Sequence, residues 1–423
     1  MTKNEKLKKA FLPVLLTTIL AGLFLCPAPA AAQQKISGTV FFDYTFYLSN
    51  QGPITTPPPD NPNFKTNFMQ FRRVYFRYDN KINDRISFRL TFDGDTVKAV
   101  DASGKADDRF RPYLKHMYLQ INNLIPDSDI KIGMADTITF KLAEDRWGYR
   151  SVAKTLLDGY KDITGKDIDA TSADLGINLS GKIIRQVKYG IMLSSGEGYS
   201  KPEKDKHKKL SSYLQLIPVP GLSMVGYVDY EKQDVGASAY TYKGDLYIEF
   251  IPNLTLGAEY FVYRNDKNLL DGERYNRSGL SVFGRYNLIA EKLNLFARFD
   301  RYEPNNLQAQ DEISLIIAGL DWAPFHSSFK LQPNIWVYDY KDPLKKNDLI
   351  FNLTFLMTFQ NYKEGKNEKN ISFRFKKNNG GNADRRRLAG CYRSDFCRSS
   401  FGPAKNDPGQ RLRHHGQPGA DSG

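Results

Sequence analysis

The sequence predicts an all-β protein, a transmembrane antiparallel β-barrel of about 16 strands whose long third external loop folds into the lumen. Three observations predict this fold. A secretory signal opens the chain, and sixteen short β-like runs of alternating apolar and polar residues follow between Lys35 and Phe359. The links between these runs alternate between short turns and longer loops, an arrangement typical of outer-membrane barrels. A soluble two-sheet or repeat protein would explain the alternation but not the two classes of link.

The last run, Asp348–Phe359, shows the alternation most clearly, since every second residue is apolar. These residues are Leu349, Phe351, Leu353, Phe355, Met357 and Phe359. The opposite phase carries Asp348, Asn352, Thr354 and Thr358, with Ile350 and Leu356 as exceptions. In an outer-membrane barrel the apolar face contacts lipid and the polar face lines a wet lumen. Exported barrels usually end at a final aromatic residue, so we expect the barrel-assembly machinery to be a partner.

Residues 1–32 are predicted to be a signal peptide. Four lysines precede the apolar stretch Phe11–Leu25, and the small residues Ala28–Ala32 offer a cleavage site before Gln33. A membrane-anchor helix is the alternative, but an apolar stretch of about 15 residues that contains Pro13 is short against the ~20 needed to span a bilayer. We therefore expect export through the periplasm to the outer membrane of a Gram-negative cell, with the barrel over residues 33–359.

The charge of the chain is concentrated at its ends. The formal net charge is +13, of which residues 1–32 carry +3 and residues 360–423 carry +8, which leaves +2 for residues 33–359. A high pI can indicate a nucleic-acid partner, but the central chain gives no electrostatic support for one. We therefore expect no nucleic-acid binding.

Residues 360–423 form a polar, basic tail that is too polar to bury a core. We expect it to be disordered or to result from an altered reading frame or read-through. The body from Gln33 to Phe359 contains no cysteine, so it can hold neither a disulfide framework nor a cysteine-ligated zinc. A zinc site formed by four residues of the tail is conceivable but not expected; its residues would be Cys391, Cys397, His414 and His415. No metal, cofactor or catalytic residue is expected.

The longest link, Thr137–Ala170, is about 34 residues long and follows the fifth strand. Loops beyond about 12–15 residues are usually functional or disordered, and this one holds enough apolar residues to pack. A loop folded into a wide barrel would narrow the pore and set its charge preference. Its charges nearly balance, and pairing or simple solvation explains many of them. The sharper hypothesis places a constriction at Arg146, Arg150, Lys154, Asp145 and Trp147, with the three cations on one face if Trp147–Asp158 is a short helix.

Charged residues on the polar phase of strands are expected to line the lumen, because facing lipid would cost each Arg or Lys about 2–4 kcal/mol at mid-depth. The predicted basic lining consists of Arg73, Arg77, Arg89, Lys131, Lys188, Arg285 and Arg298. Acidic residues oppose it at Asp93, Asp174, Glu249, Glu259 and Asp300. The lining is thus mixed, with at most a mild anion preference. Lys115 falls on the lipid phase and is expected to snorkel near the outer rim.

Several short motifs resemble Gram-negative trimeric porins, and most nearly the phosphate/polyphosphate-selective porin group. They are Lys35–Tyr44, Phe71–Phe76, Lys131–Met134, Ala318–Trp322 and Lys330–Asn334. The resemblance covers Lys35–Phe359 and implies a 16-stranded barrel with an inward-folded third loop, a homotrimer, and a constriction with an excess of Arg and Lys. The long loop of this sequence departs from the last feature, since it is nearly neutral.

The sequence therefore predicts a passive, water-filled diffusion channel for small hydrophilic solutes and inorganic ions, seated in outer-membrane lipid. An adhesin or partner-binding barrel with a plugged lumen is one alternative, although the external loops other than the third are modest. An outer-membrane hydrolase is another. The body contains only His116, His207 and His326, and no serine motif accompanies any of them, so we do not expect an enzyme.

Overall fold

The computed structural model contains one closed antiparallel barrel of sixteen strands, as predicted. It describes residues 33–49, 67–95, 99–100, 106–107, 111–160, 172–199, 201–203, 205–232, 236–266, 273–343, 345 and 347–363. The predicted signal peptide and nearly all of the predicted tail lie outside these residues.

The strands follow one another around the barrel in chain order, each paired with its neighbours. They are β1 (Gln33–Ser49), β2 (Asn67–Lys81), β3 (Ile86–Asp95), β6 (Arg111–Asn122), β7 (Ser128–Asp136), β8 (Ala173–Ile184), β9 (Val187–Ser194), β10 (Lys209–Leu216), β11 (Leu222–Lys232), β12 (Ser238–Ile248), β13 (Leu254–Asn265), β14 (Tyr275–Ile289), β15 (Leu293–Glu303), β16 (Ile313–Trp322), β17 (Phe329–Tyr340) and β18 (Asp348–Lys363). The link between β3 and β6 holds a small two-stranded sheet, β4 (Ala99–Val100) and β5 (Ala106–Asp107).

The barrel closes where β1 pairs antiparallel with β18, from Gln34 opposite Lys363 to Ser49 opposite Leu349. Side chains on the inner face reinforce this closure. Thr354, almost fully buried, donates a hydrogen bond to Asp43 at 2.7 Å, and Thr45 donates one to Asn352 at 2.7 Å. Closure leaves no unpaired strand edge, which is the condition for a sheet to exist in lipid.

The outer face of the barrel is apolar, and the inner face carries most of the polar residues. On β18 the predicted lipid phase faces outward, and Phe359, the last residue of that phase, is 49% exposed. On β11 the residues alternate strictly between exposed and buried, although its sequence does not alternate cleanly in hydropathy. The reason is that two inner-face residues of β11, Val225 and Tyr227, are apolar and lie beneath the long loop.

Two helices interrupt the long link between β7 and β8: α1 (Ile138–Trp147) and α2 (Leu156–Gly159). Neither helix in the described part of the chain has the length and hydropathy needed to cross a membrane.

Candidate pore constriction

The described part of the long loop, Thr137–Tyr160, packs inside the barrel, which confirms the predicted inward fold. Trp147 is fully buried, and its ring lies 5.3 Å from that of Phe283 on β14 and 6.0 Å from that of Phe296 on β15. Its indole nitrogen donates a hydrogen bond to the carbonyl of Ala153 at 3.0 Å, so the polar atom of this buried ring is satisfied. Residues 161–171 of the loop lie outside the described part of the chain.

An apolar area on the inner wall receives the loop. Each of the strands β11 to β16 contributes at least one inward-facing residue to it. These residues are Val225, Ala239, Tyr247, Phe261, Tyr263, Phe283, Phe296, Tyr302, Leu315 and Ile317. The loop covers it with Trp147, Tyr149, Val152, Ala153, Leu156, Leu157 and Tyr160. Apolar residues facing a wet lumen would be unfavourable, so their burial under the loop stabilises the inward fold.

The short helix expected over Trp147–Asp158 does not form, so that expectation was wrong. Helix α1 ends at Trp147 because Gly148 adopts a left-handed conformation with φ of 74°. Its N–H donates back to the carbonyl of Glu144 at 2.9 Å, which is the usual way a glycine ends a helix. The spacing of four between Arg146, Arg150 and Lys154 therefore does not stack these cations on one helical face.

Each cation predicted at the constriction has an acidic neighbour. Arg146 lies 3.4 Å from Glu249, which follows β12, and Lys154 lies 3.5 Å from Asp158. Arg150 is also close to Asp158, at 3.6 Å, and is 9% exposed. Asp145 pairs with Lys141 on the exposed side of α1. The structure thus brings the predicted residues into the lumen, but with their charges largely compensated.

Arg72 on β2 holds the loop from the wall beside the barrel closure, and the sequence prediction missed it. Its guanidinium donates to the carbonyl of Val152 at 2.8 Å and to that of Ser151, and it pairs with Asp43 on β1 at 2.6 Å. On the other side Ser151 donates a hydrogen bond to Gln332 on β17 at 2.6 Å. Residues Ser151 and Val152, the loop tip, are therefore fixed to two walls.

A β-bulge explains why Arg72 points into the lumen. Phe41 pairs with Arg73 and Phe42 with Phe71, so Arg72 is an extra residue on its strand. A bulge places two successive side chains on one face, which simple alternation cannot anticipate. Two adjacent arginines in the middle of a strand are the signal that could have revealed it, because one of them would otherwise face lipid.

Arg298 and Asp300 on β15 form the second attachment of the loop. Arg298 donates to Asp300 at 2.6 and 2.7 Å and to the carbonyl of Lys154 at 2.5 Å, and it lies over the ring of Trp147 at 5.2 Å. Tyr160 donates a hydrogen bond to Asp300 at 3.0 Å. Burial raises the pKa of Tyr160 well above its usual value, so its hydroxyl stays protonated and remains a donor. Arg298, predicted to line the pore, is instead 4% exposed beneath the loop.

The wall formed by β2, β3, β6 and β7 carries charged residues in place of an apolar area. Asp93 is fully buried between Arg73, at 2.9 Å, and Lys115, at 3.6 Å. Arg89 pairs with Asp79 at 2.6 Å. We call this surface the charged wall; it consists of Arg73, Arg77, Asp79, Arg89, Asp93, Lys115, Lys131 and Asp136.

Arg77 differs from its neighbours on the charged wall. It is half-buried, and its Nε makes no hydrogen bond. Within the described residues it has no ion pair. Five cations and three carboxylates make up the charged wall, so it has a local surplus of positive charge.

The remaining predicted lining residues take different positions. Lys131 lies 3.8 Å from Asp136 on the charged wall. Arg285 is 3.9 Å from Glu249, the same carboxylate that Arg146 contacts. Lys188 is exposed at the short-turn end of β9, away from the loop.

Lys115 does not snorkel at the rim, so that expectation was wrong. Thr91 pairs with His116 and Phe92 with Leu114, which makes Lys115 the extra residue of a second bulge. It is 5% exposed inside the barrel, and its amino group donates to the hydroxyl of Tyr75 at 3.0 Å. His116 beside it also faces inward, with Nε2 3.0 Å from Asp136.

Glu144 on α1 is a loop carboxyl whose ionisation is affected by this environment. Burial raises the pKa of its carboxyl, against the opposing effect of Arg150, Lys115 and Lys141. Lys115 of the charged wall thus contributes to the electrostatic environment of this carboxyl. Within the described residues, no group of three or more His, Cys, Asp or Glu side chains could hold a metal ion.

No family model and no curated protein matches this sequence. Solved structures do match its fold. The outer membrane protein OmpT of Vibrio cholerae, in a trimer form, is 13% identical over 78% of this chain and 100% of its own, with a TM-score of 0.50. The outer membrane channel DcaP of Acinetobacter baumannii is 12% identical over 79% and 99%, with a TM-score of 0.51.

An anion-selective porin from Comamonas acidovorans is 8% identical over 78% of this chain and 100% of its own, with a TM-score of 0.51. At such identities the likeness establishes the fold. Together with the apolar outer surface and closed strand order of this barrel, it confirms the predicted outer-membrane location. The chain is therefore a 16-stranded outer-membrane barrel with the fold of Gram-negative porins and channels.

Proposed function

We propose that this protein is a passive, water-filled diffusion channel for small hydrophilic solutes and ions, with a mild preference for anions. The observation that carries the proposal is the asymmetry of the lumen. The loop packs on the apolar area of β11–β16, and the inner face opposite it is the charged wall. Arg89, Asp79 and Lys131 of this wall are partly exposed, and charged side chains across from a docked loop are suited to contact with water and mobile ions.

The anion preference rests on the surplus positive charge of the charged wall. The five cations of this wall stand against three carboxylates, Asp79, Asp93 and Asp136, and Arg77 has no ion pair among the described residues. The loop itself adds little, because the six cations of Thr137–Ala170 are matched by six carboxylates. Phosphate selectivity of the kind that the resemblance implies is not proposed, since the cations nearest the loop are compensated.

Planar-bilayer recording of the purified protein tests the channel. We expect stable ohmic steps. In a salt gradient, the sign of the reversal potential should show that anions permeate more readily than cations. Arg77→Glu should lower the anion-to-cation permeability ratio, because it reverses a charge that has no ion pair among the described residues. Arg85→Glu, an exposed change in the turn before β3, is the matched control and should leave the ratio unchanged. A folded barrel that gives no conductance would remove the channel from consideration and favour a partner-binding barrel.

We further propose a homotrimer. Its support is the likeness to the trimer form of OmpT and an aromatic patch on the lipid-facing side of the barrel closure. There the ring of Phe42 lies 5.3 Å from Phe71 and 5.4 Å from Phe355. Native mass spectrometry of the detergent-solubilised protein should give three copies per particle, and a particle of one copy would reject the trimer.

A further inference from the structure

The lipid-facing side of the barrel contains a recess floored by two paired glycines. Gly226 on β11 pairs with Gly244 on β12, and both belong to the outward phase of their strands. A Cβ atom added to either glycine would meet nothing within 4 Å. The recess, here called the outer slot, has a volume of about 490 Å³. Outward-facing side chains around it are Leu214, Val228, Tyr242, Tyr260 and Val262.

The outer slot lies near mid-depth in the bilayer. Gly226 is in the middle of β11, six residues before Lys232, which ends the strand at the long-loop rim. Six residues of strand cover about 20 Å. On a strand tilted by about 45° this is a depth of about 14 Å, close to half of the ~30 Å hydrocarbon core. Half of the core is the depth that the acyl chains of one leaflet fill.

A column of tyrosines joins the outer slot to the long-loop rim. Tyr242 borders the slot, and its ring stacks parallel to that of Tyr240 at 6.4 Å. The ring of Tyr240 lies 5.1 Å from that of Tyr230 on the neighbouring strand. These rings form an apolar track along which a chain can lie, and their hydroxyl groups suit the membrane interface.

Cations stand at the rim end of this column. Lys232 is exposed and has no ion pair among the described residues. Arg264 and Arg274 lie 3.2 and 3.4 Å from one carboxylate, Asp266, which both of them share. The rim directly above the slot therefore offers positive charge to an anionic headgroup.

We propose that the outer slot and the tyrosine column bind an anionic lipid of the external leaflet. One acyl chain occupies the recess over Gly226 and Gly244, and the headgroup contacts Lys232 and the guanidinium groups of Arg264 and Arg274. A membrane lipid carries an apolar chain of the right length and a negative charge at the right depth in a single molecule. This inference depends on the barrel spanning the membrane and is independent of whether the barrel conducts.

Native mass spectrometry of the full chain, with phosphatidylglycerol or phosphatidylcholine of identical acyl chains added to the detergent, tests the inference. We expect the protein to retain phosphatidylglycerol in preference to phosphatidylcholine. The double substitution Gly226→Leu/Gly244→Leu adds two apolar side chains to the slot, at positions where an added Cβ meets nothing within 4 Å. It should lower the fraction of lipid-bound protein at least five-fold. Lys232→Glu should abolish the preference between the two headgroups.

Ala318→Leu is the matched control for the slot, because it adds similar bulk to an exposed, outward-facing position on β16. It should retain lipid as the wild type does. Equal retention of both lipids by the wild type, or unchanged retention after the slot is filled, would overturn the inference. A change in the number of protein copies per particle on filling the slot would also overturn it, since the occupant would then be a second copy of the chain.

Discussion

At the scale of single residues, Arg72 has the greatest effect on the position of the loop. It binds two loop carbonyls and Asp43, whose side chain is 4% exposed. Removing its guanidinium leaves a buried carboxylate and two carbonyls with one partner fewer, at a cost of about 1–3 kcal/mol. The loop tip would then be held mainly from the side of Gln332.

Arg72→Met should therefore give larger and noisier single-channel currents, because the loop tip moves in and out of its docked position. Arg85→Met, in an exposed turn, should give wild-type currents. Quiet, wild-type steps from the Arg72 variant would show that packing alone holds the loop.

We expect Glu144 to make ion selectivity dependent on pH. Burial raises the folded-state pKa of its carboxyl. As the pH falls, the carboxyl therefore takes up a proton at a pH above the ordinary pKa of 4.5. Loss of this negative charge opposite the charged wall should increase anion preference as pH falls. The stability of the docked loop should also increase as the pH falls. The raised pKa stabilises the docked loop at a pH below the ordinary pKa, and this contribution is lost as the pH rises through the raised pKa.

Reversal potentials recorded from pH 8 down to pH 4 measure this effect. Glu144→Gln should be more anion-preferring at neutral pH and should lose the pH dependence. Asp145→Asn changes charge by the same amount one residue along α1, where the carboxylate is exposed, and should keep the dependence. An unchanged titration in the Glu144 variant would assign the effect to another group.

At the scale of secondary-structure elements, alternation and turn residues predicted the strands, and the length and apolar content of the long link predicted the inward loop. Alternation predicts the face of a side chain only while the register is continuous. At Arg72 and Lys115 a bulge inserts one residue, and the side chain turns from lipid to lumen. The helix considered over Trp147–Asp158 does not form, because Gly148 adopts a left-handed conformation that ends α1 at Trp147. The spacing of the cations alone does not reveal this.

The docking surface for the loop also left a signal in the sequence. Strands such as β16 carry apolar residues on both faces, at Leu315 and Ile317 inside and Ile316 outside. In a barrel with a wet lumen, an apolar inner face marks the place where another element packs. Pairwise contacts such as Arg72 with Ser151 could not be predicted, because they depend on how far the loop reaches across the barrel.

Trp147 is the main apolar attachment of the loop as an element. Trp147→Ala removes a fully buried ring from between Phe283 and Phe296, a change that costs about 3–5 kcal/mol in protein cores. We expect higher conductance and faster protease cleavage within the loop, while the barrel itself remains folded. Trp322→Ala is the control, since this ring is 48% exposed on the outer face. Wild-type conductance from the Trp147 variant would mean that the polar attachments alone are enough to hold the loop in its docked position.

At the scale of the whole molecule, the barrel separates three surfaces that require different chemistry. The outer face is apolar, the inner face under β11–β16 is apolar where the loop covers it, and the charged wall faces the remaining lumen. Net charge over residues 33–359 is only +2, so long-range attraction of anions is weak. Any selectivity must then come from local surplus charge at the charged wall.

Selectivity that comes from local charge should decrease as salt rises. The screening length falls from about 10 Å at 0.1 M salt to about 3 Å at 1 M, which is shorter than the distance from a wall to the middle of a wide pore. We therefore expect the anion-to-cation permeability ratio to decline toward the ratio of the bulk mobilities over this range. Arg77→Gln should lower the ratio at 0.1 M and change it little at 1 M. A ratio independent of salt would instead require ions to pass in contact with the wall cations, as in a narrow binding site.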